Sequence, residues 1–427
     1  MVKSISGENR SDKVFAFLLG LSVSENITSV FSFGSTSFTL SEVLSPILLI
    51  FLCLKDINRV ASFMRCVPIG FKLFFAAVIV TIIPGLIYFM SVEIIYRYCV
   101  GLIYLVIVLT AAIDAFILRK SKDTIIKGIF VGLVGNMLYT ILCFVAFHNG
   151  ILVTLKYVIP HAGFYAPSAS FRSQGFFLEP SHFIRYVGTV GLIVIASTEI
   201  RHSFFKYVLI LISAIALIFS YSGSLVILAT GYMMYWIGSR GTINIRRARP
   251  GTLVPIFVVL LIAIVAIGGF NINKHYDVEG VFDRIMNGAD ITDKGNAERF
   301  ESMQKILENP SLPILLGCGW NLTGTYIQTQ NLGITAAFSD ILELLLETGI
   351  VGLALYVGSL LSMSFTLWKM RGRYSRALSV SLLVILALQI GTDYALNTCI
   401  MLVFGLSVGE LADSRLVYGS MRSEGKL

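Results

Sequence analysis

The sequence has few charged residues and few cysteines or histidines for its 427 residues. Charged residues make up 14% of the chain, whereas hydrophobic residues make up 56% and the mean hydropathy is +0.81. A soluble globular domain carries about 25% charged residues, so this composition is typical of a chain whose main solvent is lipid. The short alternating segments of a membrane β-barrel are not seen, which favours transmembrane helices.

The sequence also lacks the clusters that bind metal ions or form disulfide frameworks. Its six cysteines and five histidines occur singly, without the close pairing of Cys-x-x-Cys or the spacing of metal-ligating histidines. We therefore expect no cofactor and no metal site built from these residues. The first apolar run is followed by further apolar runs, so no cleavable signal peptide is predicted.

Long apolar runs predict about twelve transmembrane helices, because a helix needs roughly 20 apolar residues to cross a bilayer core about 30 Å thick. Most of the 33 Lys and Arg residues then fall on the side of the N-terminus, in short connections such as 55–65 and 240–249. Basic clusters of this kind mark cytoplasmic loops, so we expect an inner-membrane protein with both termini in the cytoplasm. The predicted helices are 14–33, 37–54, 72–91, 93–118, 124–147, 178–199, 204–220, 222–239, 251–270, 337–367, 377–394 and 396–412.

Two predicted connections on the outer side are long enough to hold a site. The first is a periplasmic loop near 149–177, and the second is a large periplasmic loop at 271–336 between the ninth and tenth helices. The chain then divides into helices one to nine in 1–270, the large loop, and the last three helices with a cytoplasmic tail in 337–427. Within the large loop, apolar residues at helical spacing predict a short helix over 297–307.

The segment from Arg172 to Arg185 is interpreted as the approach to a helix that enters the membrane from outside. Pro180 suits the first helical position, and the helix N-terminus beside Arg172 can bind a phosphate or diphosphate. Glu179 lies at the water–lipid boundary, where it acts as a general base or neutralises an arginine. Arg185 lies within the membrane, where a charged side chain is costly and indicates either function or a structural ion pair.

The large loop carries a second constellation, in which Arg299 follows Glu298 and precedes Gly317-Cys318-Gly319. A solvated loop surface is the simpler explanation for Arg299. The two glycines indicate a tight turn or a place where the backbone comes close to another group.

The tenth predicted helix opens with three acidic residues on one face. Asp340, Glu343 and Glu347 stand at i, i+3 and i+7. Acidic residues near a helix N-terminus interact favourably with the helix dipole, which accounts for the first two. Glu347 lies two turns inside the helix, where this effect fades, so it is a candidate partner for Arg185 or for a sugar hydroxyl.

These three segments resemble those of the bacterial polysaccharide polymerases of the Wzy type, the O-antigen polymerases, which are related to the O-antigen ligases. The resemblance covers the helical layout with its late outer loop and is sharpest in three motifs. They are Arg172-x-x-Gly175-x-x-x-Glu179-Pro180-Ser181, Arg299 followed by Gly317-x-Gly319, and the segment from Asp340 to Gly349-Ile350-Val351-Gly352.

The chain departs from the family pattern in two places. Members often carry a Ser-Arg pair in the hairpin after the Glu-Pro-Ser helix, whereas this chain has Ser220-Tyr221-Ser222-Gly223-Ser224 without an arginine. The ligases carry a histidine at the start of the third motif, where this chain has Phe338-Ser339-Asp340. The second difference favours a polymerase over a ligase.

The resemblance implies a GT-C-type glycosyltransferase that polymerises undecaprenyl-diphosphate-linked oligosaccharide repeat units into O-antigen or a related surface polysaccharide on the periplasmic face. The partners that it implies are this lipid-linked substrate, the bilayer and, as an option, a chain-length regulator. An O-antigen ligase and a lipid-linked-oligosaccharide flippase or transporter remain the alternatives. The resemblance assigns catalysis to Arg172, Glu179, Arg299 and Asp340, and substrate binding to Arg185, Gly175, His182, Gly317, Gly319, Glu343 and Glu347.

Overall fold

The computed structural model describes most of the helical regions and not the whole chain. The described residues are 10–24, 31–33, 36–89, 92–117, 121–148, 175–177, 180–197, 224–240, 294–309, 312–334, 337, 339–370, 372–390 and 398–423. The predicted helices 204–220 and 251–270, most of the first predicted outer loop and residues 271–293 of the second lie outside these residues.

The described ranges contain fourteen helices. They are α1 (Arg10–Ser22), α2 (Leu40–Lys55), α3 (Ile57–Cys66), α4 (Ile69–Val80), α5 (Ile82–Phe89), α6 (Val92–Ile117), α7 (Ser121–His148), α8 (Pro180–Ala196), α9 (Ser224–Arg240), α10 (Lys294–Leu307), α11 (Thr323–Thr329), α12 (Asp340–Lys369), α13 (Arg373–Ile390) and α14 (Thr398–Ser423).

A short antiparallel hairpin of β1 (Phe31–Phe33) and β2 (Thr36–Phe38) stands between α1 and α2. Every other described element is a helix, which confirms the all-α class. The prediction of one helix over 14–33 is wrong in its second half, because α1 ends at Ser22. The residues that follow are rich in Ser, Thr and Asn, whose side chains compete with helical backbone hydrogen bonds.

Five described helical segments are long and apolar enough to cross a membrane. Large apolar side chains on them face outward, such as Ile87, which is 70% exposed, as expected for surfaces in contact with lipid. These segments confirm a polytopic membrane protein, whereas the full number of twelve spans stays a prediction. The five segments are Ile69–Ile87, Ile95–Ala115, Asp123–Cys143, Asp340–Lys369 and Arg373–Ile390.

The connection predicted between the second and third spans contains the helix α3. Val60, Phe63 and Val67 are buried at i, i+3 and i+7, whereas Arg65 on the other face is exposed. This spacing makes an amphipathic helix that packs against α6 and α14. No helix was predicted in this short connection, because its helical period is hidden in a polar stretch.

Glycine allows α7 to pack tightly on α1. Gly128 and Gly132 stand one turn apart on α7, and a Cβ atom on Gly128 would lie 2.2 Å from the carbonyl oxygen of Phe17. A Cβ atom on Gly20 of α1 would lie 2.1 Å from the carbonyl oxygen of Ile125. In lipid the hydrophobic effect does not drive helices together, so close packing of their backbones at small residues stabilises the association.

A second close pair joins α14 to α6. Gly405 and Gly409 of α14 stand one turn apart, and added Cβ atoms would lie 2.5 Å from the Val108 oxygen and 2.8 Å from the Ala112 oxygen. The same small-residue spacing therefore serves two separate pairs of helices.

Buried hydroxyl and amide groups connect α8, α12 and α13. The Ser381 hydroxyl of α13 donates to the Thr189 oxygen of α8 at 2.8 Å. The Tyr356 hydroxyl of α12 donates to Oε1 of Gln389 on α13 at 3.1 Å. These contacts place α13 between the two helices that carry predicted site residues.

Candidate functional site

The buried amide of Asn136 on α7 holds the segment that leads to α8. Its Oδ1 accepts a hydrogen bond from the Phe176 backbone N–H at 2.7 Å, and its Nδ2 donates to the Ser24 carbonyl oxygen at 2.7 Å. Gly175 has a φ of 55°, and a Cβ atom there would lie 2.3 Å from Asn136 Oδ1. This packing accounts for the glycine of the first motif without a ligand, and its substrate-binding role stays a prediction.

Asn136 was not among the predicted site residues, although the sequence offers one signal for it. An amide in the middle of an apolar helix is expected to hydrogen-bond across to other elements, because lipid offers it no partner. Of the other predicted residues in the first motif, Arg172 and Glu179 lie outside the described part of the chain.

Arg185 of α8 is 1% exposed, and its guanidinium group is fully enclosed. Within the described residues, none of its three side-chain nitrogens has a hydrogen-bond partner. Its positive charge acts on His182, which is also buried, and on Cys399 at the start of α14. Burying an unpaired charge is very costly. The site is therefore complete only with an anion, supplied by a ligand or by an acid beyond the described residues.

Asp340 begins α12 and is fully buried at 0% exposure. Ser339 caps this helix by accepting a hydrogen bond from the Leu342 N–H at 3.4 Å, and its hydroxyl donates to the Ile390 oxygen at 2.9 Å. The charge of Asp340 acts on Tyr356, one of the groups that bond Gln389.

Asp340 and Arg185 lie at the same end of the bundle. The first is joined to the end of α13 through Ser339, and the second stands beside the start of α14, which follows α13 in the chain. Glu343, the next predicted acid, is only partly buried one turn along α12.

The helix α12 is broken at Gly349, whose φ is 67° and ψ is −177°. The break frees backbone groups that a membrane-spanning helix must pair. Three hydrogen bonds to the preceding loop pair them. Cys318 N–H donates to the Leu346 oxygen at 2.6 Å, Gly319 N–H donates to the Glu347 oxygen at 3.1 Å, and Ile350 N–H donates to the Ile314 oxygen at 2.7 Å.

The glycines of the second and third motifs make this docking possible. A Cβ atom on Gly317 would lie 2.2 Å from the Glu347 backbone oxygen, and one on Gly349 would lie 2.1 Å from the Leu315 oxygen. Gly317 and Gly319 also have φ values of 74° and 121°. The structure thus brings Gly317, Gly319 and Glu347 together, and backbone packing explains both loop glycines.

The Glu347 carboxylate is buried and accepts a hydrogen bond from the Thr323 hydroxyl at 3.0 Å. The backbone N–H groups of Asn321 and Thr323 also face this carboxylate. Glu347 therefore contacts the loop and makes no hydrogen bond to Arg185, which was one of its predicted partners. Burial, and secondly the charge of Glu347, raises the pKa of the neighbouring Cys318 thiol well above its usual value.

The docked loop is anchored on its other side to α6. Trp320 is buried, and its indole N–H donates to the Gly101 oxygen at 2.8 Å. The Asn321 side chain donates to the Arg97 oxygen at 2.9 Å. Two helices therefore hold the Gly-x-Gly segment in place.

Arg299 belongs to α10, which confirms the helix predicted within the large loop, although its side chain is not among those described. Two turns further along, Ile306 packs in one apolar cluster with Cys318, Leu322 and Tyr326. On the exposed face, Lys305 Nζ pairs with Glu301 at 2.7 Å, and this hydrogen bond and charge lower the pKa of Glu301.

Comparison with known proteins places a family domain over this region. A family model described as O-antigen ligase matches residues 208–357, which include Arg299, the Gly-x-Gly segment and the broken part of α12. The match supports the O-antigen polymerase and ligase superfamily and does not separate its two activities. No curated protein matches the chain. Among the described residues, no group of three or more His, Cys, Asp or Glu side chains could hold a metal ion.

Proposed function

Starting from this superfamily match, we propose that the protein is a GT-C-type lipid-linked glycosyltransferase of the bacterial inner membrane. It polymerises undecaprenyl-diphosphate-linked oligosaccharide repeat units into O-antigen or a related surface polysaccharide. The growing chain leaves its lipid diphosphate and is transferred to the nonreducing-end sugar of a new unit on the periplasmic face. Such a reaction needs a cationic group at the departing diphosphate and a base near the attacking hydroxyl.

The observation that carries this proposal is the enclosed guanidinium of Arg185. It is buried in the second turn of α8 without a hydrogen-bond partner in the described residues. Guanidinium binds phosphate oxygens in a fixed fork, so a diphosphate suits this group. A diphosphate attached to a prenyl chain in the bilayer can reach this depth, which a soluble sugar nucleotide cannot do as readily.

The other predicted residues complete this assignment. Arg172 and Arg299 hold the diphosphate from the two outer loops, and Arg185 supports it from within the membrane. Asp340 or Glu179 takes the proton from the attacking hydroxyl. The leaving group already carries its negative charge on phosphate, so these protein cations suffice to stabilise it.

The first test is a gel of surface polysaccharide from a strain that lacks the protein, beside the same strain complemented with it. If the protein is a polymerase, the mutant should carry lipid A core with a single repeat unit, and complementation should restore the ladder. An unchanged ladder in the mutant would remove the protein from this pathway.

A second test replaces Arg172 and Arg299 with alanine, one at a time, in the complementing gene. Both variants should reach the membrane and lose long polymer. Lys305→Ala is the matched control, because Lys305 is an exposed basic residue on the same helix as Arg299. Polymer of wild-type length from both arginine variants would contradict the assignment.

The second candidate is a ligase that transfers finished polymer to lipid A core, and the description of the matching family as O-antigen ligase favours it. The same gel distinguishes a polymerase from a ligase. Core without any repeat unit in the mutant would support a ligase or a flippase, because repeat units would then never reach the core. We favour the polymerase because Phe338-Ser339-Asp340 stands where the ligases have a histidine.

A further inference from the structure

The Glu347 side chain contacts the loop that precedes α12 and does not face an open cavity. Its carboxylate is buried and engaged by the Thr323 hydroxyl at 3.0 Å, with the backbone N–H groups of Asn321 and Thr323 facing it. These donors are at the start of α11, so the carboxylate completes the first turn of that helix. Loss of a buried acceptor is costly, because its donors are then left unsatisfied.

The contact continues from α11 to the helix that carries Arg299. Tyr326 of α11 accepts a hydrogen bond at its hydroxyl from Asn309 Nδ2 at 3.2 Å, immediately after α10 ends. Tyr326 also packs in the apolar cluster with Ile306 of α10 and Leu346 of α12. Arg299 and Ile306 are seven residues apart and lie on one face of α10. The position of α10 relative to α12 therefore depends on how the start of α11 is held.

We propose that Glu347 is a positioning residue for the reaction, which fixes the Arg299-bearing helix against the broken part of α12 through Thr323. This positioning role replaces the role that the sequence suggested for Glu347, in which its carboxylate binds a sugar hydroxyl. The inference rests on the proposed function only for the role of Arg299. The contact between Glu347 and the loop is testable without any activity.

Cys318 is a natural reporter of this contact. Its thiol is fully buried in the docked loop, and its backbone N–H is bonded to the Leu346 oxygen. A thiol reagent can reach it only when the loop moves away from α12. Labelling with N-ethylmaleimide, followed by peptide-resolved mass spectrometry of the full chain in detergent, measures that opening. Cys399, which is buried in α14 far along the chain, reports global unfolding in the same sample.

Three variants test the proposal. Glu347→Ala removes the acceptor, Thr323→Val removes the donor and keeps the branched shape, and the double variant removes both. Thr325→Val is the matched control, because it makes the same change two residues further along α11. The Thr325 hydroxyl has no hydrogen-bond partner in the described residues.

We expect Glu347→Ala and Thr323→Val to raise the labelling rate of Cys318, by about 10-fold or more for the first, because the Thr323 hydroxyl and two backbone N–H groups lose their buried acceptor. The double variant should match Glu347→Ala, and Thr325→Val and the Cys399 rate should stay at wild-type values. Both contact variants should also shorten the polymer, and Glu347→Gln, which keeps a carbonyl acceptor for Thr323, should restore part of its length.

Two results would overturn the proposal. Shortened polymer in Glu347→Ala, with wild-type labelling of Cys318 and wild-type polymer in Thr323→Val, would make Glu347 a substrate ligand. Raised labelling of Cys318 with full-length polymer would show that the loop contact does not serve the reaction. If the deletion strain instead keeps its ladder, the proposed function fails, while the labelling still decides whether Glu347 holds the loop.

Discussion

Replacing Gly317 with alanine should detach the outer loop from the break in α12. Gly317 has a φ of 74°, which costs an alanine about 1–2 kcal/mol. Its Cβ atom would lie 2.2 Å from the Glu347 backbone oxygen, and a backbone atom cannot rotate away as a side chain can.

The clash should separate the loop from α12 and break the three backbone hydrogen bonds that join them. Each bond contributes about 0.5–1.5 kcal/mol, so the total loss is about 2.5–6.5 kcal/mol when the cost of about 1–2 kcal/mol for the left-handed backbone is included.

Two other glycines separate the causes of this loss. Gly333 also has a positive φ of 67°, but a Cβ atom there meets nothing within 4 Å. Its alanine variant should therefore lose only about 1–2 kcal/mol of stability, which is the cost of the left-handed backbone conformation. Gly324 lies in α11 with open space around it, so alanine there should gain about 0.5–1 kcal/mol from helix propensity.

Thiol labelling of Cys318 measures the opening of the loop directly. A loss of about 3 kcal/mol corresponds to a rate increase of roughly 100-fold, since each 1.4 kcal/mol is a factor of ten. We expect this increase for Gly317→Ala, a much smaller one for Gly333→Ala and none for Gly324→Ala. Equal labelling of the Gly317 and Gly333 variants would refute the close contact between the loop and Glu347.

Three further substitutions test the helix bundle and the buried arginine. Arg185→Met should abolish polymer while the melting temperature in detergent stays level or rises, because an apolar side chain removes a buried charge that has no hydrogen-bond partner among the described residues. A marked fall in melting temperature would instead reveal a structural acid as its partner. Asn136→Ala should destabilise the protein by about 2–3 kcal/mol in chemical unfolding, since Phe176 loses its acceptor, whereas the exposed Gln304→Ala should change it little. Gly405→Ala should lower the melting temperature by forcing α14 away from α6, whereas Gly358→Ala, with nothing within 4 Å, should leave it unchanged.

The helices could be predicted from the sequence because lipid imposes a simple requirement of length and apolarity. The described spans agree with the predicted ones to within a few residues at most ends, and the loop helix of α10 was also found. The errors in the predicted helices occur where length and apolarity do not determine the structure. The second half of 14–33 is apolar enough for a helix, yet its Ser and Thr residues favour turns, and α3 is too short for a hydropathy signal.

The site residues were harder to interpret because one residue type serves several purposes. Gly317 and Gly319 were predicted to bind substrate, and this role stays a prediction. A Cβ atom would meet the α12 backbone at Gly317 and the Leu322 side chain, 2.6 Å away, at Gly319. Glu347 was interpreted as a group two turns inside a straight helix. The break at Gly349, which no apolar period reveals, turns part of this helix into a platform for the loop. Asn136 belongs to no motif, and its role becomes clear from its hydrogen bonds to Ser24 and Phe176.

These contacts separate the residues that hold the site from those that can meet a substrate. Gly175, Gly317, Gly319 and Glu347 are each in contact with protein atoms that explain their chemical type. Arg185 is different, because a buried guanidinium gains nothing from its apolar surroundings and the described residues offer it no acceptor. A fold that bears this cost needs an anion, from a bound ligand or from an acid beyond the described residues. Under the proposed function the anion is the ligand, so ligand binding and stability should respond in opposite directions to substitution of Arg185.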